Sequence, residues 1–160
     1  SATSDSLAAN QPVLIDTGAR YNYYWADITR TYFLGQPSDK MREIYNIVRE
    51  AQETAIAAAK PGIPAGKIDR IARDIITEAG YGTYFTTRVG HGLGLSVHDS
   101  PSIHGENETL LEEGMLFTVE PGIYLPGVGG VRIEDDVLIT ANGSEILSRL
   151  PKALEDNIIG

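Results

Sequence analysis

No cysteine occurs in the chain. Disulfides and thiolate metal sites are thereby excluded, and any metal must be held by oxygen and imidazole. Basic charge is scarce: 13 Lys and Arg stand against 22 Asp and Glu, a formal net charge of -9. A nucleic-acid partner needs a basic face, so that class is set aside, whereas metal cations suit such a chain. No apolar run reaches the ~18 residues of a membrane helix, so no membrane partner is expected. The first residues lack the basic-then-apolar pattern of a leader, and a cytoplasmic, reducing setting is the default expectation. Internal repeats and low-complexity segments are missing as well. What remains is ordinary for one globular domain: 160 residues, 42% hydrophobic and 22% charged.

One stretch organises the rest. Leu14 to Arg30 carries two aspartates, Asp16 and Asp27, each inside an apolar, strand-prone run. Val13, Leu14 and Ile15 precede the first; Trp25, Ile28, Tyr32 and Phe33 surround the second. Gly18 to Asn22 lies between them with turn formers at both ends, which predicts a β-hairpin. A hairpin brings its strands side by side. Two carboxylates facing each other among apolar groups repel, and each resists desolvation. Either one is protonated or a cation holds them.

Residues 1–11 are small and polar without periodicity and read as a disordered or linker start; 12–160 read as the domain. Ser1 in place of Met leaves three origins open: a processed start, an expression scar or the cut edge of a longer chain. After the hairpin, Ser38 can cap a helix over about 39–59, with Met41, Ile44, Tyr45, Val48 and Ala55 on one face. Lys60 to Pro64 is a loop. A second helix over about 65–79 presents Ile68, Ile71, Ala72, Ile75 and Ile76, with Gly80 as its stop. From Tyr84 the period becomes strand-like. Leu93, Leu95 and Val97 alternate, and strands are predicted at 116–120, 123–125, 131–134, 137–140 and 145–147. Helices and strands kept apart in this way predict an α+β fold, an antiparallel sheet with helices on one face.

The second half offers His91, Glu120 and Glu134, each at a strand-like position beside glycine or proline. With Asp16 and Asp27 they make a set that hard or borderline divalent ions accept. Two such ions, bridged by carboxylates and a water, form a known catalytic arrangement, and they would balance the repulsion in the hairpin. Singly, each residue has a plainer reading. An Asp beside a turn caps or solvates it, Glu134-Asp135-Asp136 is an acidic turn, and His91, His98 and His104 are structural or surface histidines. Gly90, Gly92 and Gly94 resemble a dinucleotide loop, but no helix follows to receive a pyrophosphate.

Five strings together carry more than their members: Leu14-Ile-Asp-Thr-Gly18, Asp27-Ile-Thr-Arg-Thr31, Gly90-His-Gly-Leu-Gly-Leu-Ser-Val-His98, Glu113-Gly-Met-Leu-Phe-Thr-Val-Glu-Pro-Gly-Ile-Tyr124 and Gly130-Val-Arg-Ile-Glu-Asp-Asp136. In content and order the chain resembles the pita-bread metallopeptidases, the M24 family of proline dipeptidase (prolidase), aminopeptidase P and methionine aminopeptidase. Thr118 to Tyr124 and Val131 to Asp135 look most like the Xaa-Pro branch. The resemblance implies a curved antiparallel sheet and hydrolysis of the bond before proline in dipeptides or small peptides. It implies two divalent metal ions, with Mn, Co and Zn all suited. Asp16 and Asp27 would bind one and His91 and Glu120 the other, with Asp27 and Glu134 bridging. Glu120 would double as general base. His98 would contact substrate or the developing oxyanion, and Arg132 would brace a ligand carboxylate.

The chain also departs from the pattern. Thr87 stands where the Xaa-Pro branch often has a histidine, and Tyr23 stands where the hairpin often has a glycine. A histidine upstream of the first aspartate, and the strands and helices that precede the hairpin, have no counterpart. The resemblance therefore implies the carboxyl-terminal portion of a catalytic domain, needing an N-terminal segment to complete its cleft; alone it could be inactive. A homodimer is left open. The alternatives are a non-catalytic or incomplete domain that binds metal or peptide, and a methionine aminopeptidase-like activity.

Overall fold

The computed structural model describes residues 6–160. Of the expected linker start, 1–5 lie outside the described residues. Residues 6–11 run exposed into the first strand, and Asn10 N–H meets the Leu34 carbonyl at 2.6 Å.

Strands β1 (Pro12–Tyr21) and β2 (Tyr24–Leu34) pair antiparallel from Pro12 opposite Phe33 to Tyr21 opposite Tyr24. The turn is tighter than the sequence implies. Gly18 to Tyr21 are strand, and only Asn22 and Tyr23 turn, with φ of +47° and +74°. Two positive values mark a type I′ turn, whose twist suits the flanking strands. Asn tolerates that region; Tyr occupies it at a steric cost.

Helix α1 (Asp39–Ala58) starts where Ser38 Oγ accepts from Met41 N–H at 3.3 Å, and its predicted stripe is buried. Helix α2 (Ala65–Glu78) buries Ile68, Ala72 and Ile76. It ends on Gly80 at φ +89°, where Gly80 N–H bonds the Thr77 carbonyl and Tyr81 N–H the Ile76 carbonyl, both at 2.9 Å. This is a Schellman closure, which needs a residue free to take positive φ.

The strands that follow are β3 (Gly90–Gly92), β4 (Asp99–Ile103), β5 (Leu116–Val119), β6 (Gly122–Leu125), β7 (Gly129–Arg132), β8 (Asp135–Ile139), β9 (Ser144–Ile146) and β10 (Ile158–Ile159). They form a five-stranded sheet in the order β4-β3-β5-β8-β9 and a two-stranded one, β6-β7; β10 joins the hairpin beside β2 as the third strand of a further sheet. The pairing is antiparallel as expected except for β10, which runs parallel to β2. Helix α1 packs on α2 and on β5, β6 and β7, and α2 packs on β4. Phe33, Ile44, Phe117, Ile123, Ile133 and Val137 lie fully buried in the core.

Two strand expectations fail. Leu93 to Val97 alternate in hydrophobicity but are irregular. A register shift between His91 and Gly92 breaks the ladder, and the Gly94 carbonyl is taken by Trp25 N–H at 2.9 Å. Alternation without a partner strand does not make a strand. Glu134 lies between β7 and β8 rather than within a strand. Among the described residues no helix is long and apolar enough to cross a membrane.

Candidate metal centre

The hairpin register decides where its carboxylates go. Asp16 pairs with Thr29 and Asp27 with Gly18. The two-residue period puts all four on one face, with the aspartates diagonal to each other. Gly18 leaves space opposite Asp27: a Cβ there would lie 2.9 Å from the Ala26 carbonyl oxygen and 3.9 Å from Asp27 Oδ1.

His91 is delivered by β3 between two glycines that have a packing reason. A Cβ on Gly90 would sit 1.9 Å from the Thr118 carbonyl oxygen, and one on Gly92 2.1 Å from that of Ser100. Only glycine lets β3 lie between β4 and β5, and this accounts for the glycine run that superficially resembled a phosphate loop. His91 Nδ1 sits 3.0 Å from the Gly92 carbonyl oxygen, and Nε2 points at Glu120 Oε1 at 3.3 Å and Asp27 Oδ2 at 4.0 Å. A carbonyl only accepts, so Nδ1 carries the proton and fixes the tautomer.

Glu120 follows β5, with Thr118 Oγ1 donating to its Oε1 at 3.2 Å. Glu134 emerges where the chain crosses β2. Its Oε2 accepts from Thr29 Oγ1 at 2.5 Å, and its N–H meets the Thr29 carbonyl at 3.1 Å. Ligand atoms of Asp27, His91 and Glu134 lie within 4.8 Å of one another. Asp16 stands outside this trio, its side chain 50% exposed and paired with Arg132 Nη2. Arg132 also bonds Thr29 Oγ1 and Tyr124 Oη, each at 3.2 Å, and its Nε is 3.8 Å from Glu120 Oε2. The exposed His98 places its ring 4.2 Å from that of His91.

Burial and mutual charge push these acids toward their neutral forms. Burial, then the charge of Glu120, lifts Glu134 to about 8. Burial and neighbouring carboxylates raise Asp27 and Glu120 as well. Burial lifts Asp136 to about 7, although its carboxylate accepts the Asp27 N–H at 3.2 Å. The cluster fits a cation on its own terms. With Nδ1 committed to Gly92, His91 Nε2 faces two carboxyl groups, an arrangement that is relieved by a proton or by a metal cation placed among them. Oxygen and imidazole donors of this kind suit Mn²⁺, Co²⁺ or Zn²⁺.

Several residues that hold this arrangement were not singled out in the sequence. Thr31 Oγ1 donates to the Arg132 carbonyl at 3.0 Å and accepts its N–H at 3.1 Å. Thr29, Arg30, Thr31 and Asp135 are all buried. The polar run Thr29-Arg30-Thr31 is visible in the sequence, but its distant partners are not.

The comparison that decides the family is a match of the model described as Metallopeptidase family M24 to residues 1–141. The chain belongs to this family. Among M24 relatives, an Xaa-Pro dipeptidase from Pyrococcus furiosus is 56% identical over 153 residues, which are 96% of this chain and 44% of that protein. The crystal structure of the prolidase from Pyrococcus horikoshii OT3 matches with a TM-score of 0.94 at 52% identity, over 96% of this chain and 44% of that one. The Xaa-Pro dipeptidase from Bacillus anthracis matches with a TM-score of 0.95 at 47% identity, over 98% and 44%. The fold is thus the pita-bread fold of the M24 metallopeptidases, and the chain spans less than half the length of the relatives it matches.

Proposed function

We propose that this chain carries the dinuclear metal centre of a peptidase that hydrolyses the bond before proline in dipeptides or small peptides. The observation that carries the reading is His91 Nε2 aimed at Glu120 and Asp27 with Glu134 close by. The names of the M24 relatives supply the substrate class. Proline lacks the amide hydrogen that ordinary clefts grip, so a dedicated site needs a strong electrophile.

Asp16 and Asp27 would hold one divalent ion and His91 and Glu120 the other, with Asp27 and Glu134 shared. When bound, the ions supply Lewis-acid polarisation of the scissile carbonyl and a water of lowered pKa. Glu120, beside His91 Nε2, is the group that would hold a proton and pass it to the leaving proline nitrogen. His98, its ring tilted against that of His91, lies on the exposed side, where it can donate to the oxyanion. Arg132 holds Asp16 and lies beside Glu120.

Metal analysis tests the reading. The chain loaded with Mn²⁺ or Co²⁺ is expected to retain two equivalents. Asp27→Asn, which neutralises a shared carboxylate, is expected to weaken retention by more than the roughly 10- to 100-fold that changes in outer partners cost, and to abolish hydrolysis of an Xaa-Pro dipeptide. Unchanged stoichiometry in the variant would contradict the ligand assignment.

A further inference from the structure

We propose that Arg30 is a positioning residue for the metal centre, and that through it the C-terminal segment 150–152 helps to set the spacing of the ligand-bearing strands. The inference rests on the metal reading above but concerns a different set of residues. Arg30 is 2% exposed, and none of its hydrogen bonds goes to a side chain of the proposed ligands. Its Nη1 donates to the carbonyls of Thr29, at 2.9 Å, and Glu134, at 2.5 Å. These two residues face each other where β2 meets the 132–135 crossing. Thr29 then passes the constraint on, because its hydroxyl holds the Glu134 carboxylate and it lies two residues from Asp27.

The other side of the guanidinium faces the end of the chain. Nε donates to the Pro151 carbonyl at 3.1 Å and Nη2 to that of Leu150 at 2.8 Å. Nη2 also pairs with Asp135 Oδ1 at 2.7 Å. Asp135 Oδ2 takes Gln52 Nε2 and Lys152 Nζ, each at 2.8 Å. Every face of the planar fork is thus in use. Lysine, a point charge on one atom, could not serve carbonyls on both sides of it. A buried charge whose partners were removed would relax by moving the strands. The buried Arg30 and the half-buried Lys152 set two cations against the single anion Asp135.

The test compares Arg30→Lys and Lys152→Met with a core variant in α2, Ile76→Val, as a control for general loss of stability. Co²⁺ affinity is measured by calorimetry, and amide exchange is followed in the metal-free chain. Arg30→Lys is expected to lower Co²⁺ affinity by about 10- to 100-fold and Lys152→Met by several-fold, with Ile76→Val within about twofold of the parent. In the metal-free chain Arg30→Lys is expected to expose the Glu134 amide, bonded to Thr29, while the amides of α1 stay protected. A protected Glu134 amide in Arg30→Lys, or an affinity no lower than that of the core control, would overturn the proposal. A parent chain that takes up no Co²⁺ would overturn the metal reading instead, and the exchange result would still decide the role of Arg30.

Discussion

Glu134, near pKa 8, and Asp136, near 7, stay partly protonated at neutral pH in the metal-free chain. Their folded values lie above the ordinary values of 4.5 and 3.8, so the folded state binds more protons than the unfolded one. The stability this gives is complete below about pH 4 and is lost as pH rises through about 7 and then about 8. Melting of the metal-free chain is therefore expected at a lower temperature at pH 8.5 than at 5.5, and Glu134→Gln, which mimics the protonated acid, should flatten the dependence. A melting temperature that climbs with pH would contradict this. With metal bound the trend should reverse, since ligation requires the carboxylates deprotonated. At this scale the sequence displayed the acids and the imidazole through their motifs. It could not display Thr29, Thr31 or Arg30 as parts of the site, because their roles come from contacts more than 100 positions away along the chain.

Among the elements, the hairpin is where a local cost is plainest. Tyr23 holds φ +74° while 73% exposed, and its ring contact is with the Arg20 guanidinium at 5.4 Å. A left-handed backbone costs a non-glycine residue about 1–2 kcal/mol, and an exposed cation–π contact returns about 0.5–1. Tyr23→Gly is accordingly expected to stabilise the chain by about 0.5–1 kcal/mol, read as a higher denaturation midpoint at an unchanged slope; a lower midpoint would show that the tyrosine packs more tightly than its exposure indicates. The helices were legible almost to the residue, because Ser38 and Gly80 act locally and their stripes repeat with the helical period. The 93–97 segment was not, because strand formation depends on a partner, and the shift at His91 removes it. The short β10 was illegible for the same reason. Two residues gain strand character only from the neighbouring β2.

For the molecule as a whole, α1, α2 and the five-stranded sheet enclose a continuous core, while β1 is exposed along most of its length and Asp16 stays half-open. The five motif strings are scattered from residue 14 to residue 136, and the fold brings the side chains they supply to one region. Two ions are expected in that region. A crystal of the chain soaked in Mn²⁺ and measured for anomalous scattering addresses this directly. Two peaks are expected among Asp16, Asp27, His91, Glu120 and Glu134, the first reached by Asp16 and the second by His91. One peak, none, or peaks away from these residues would contradict the account.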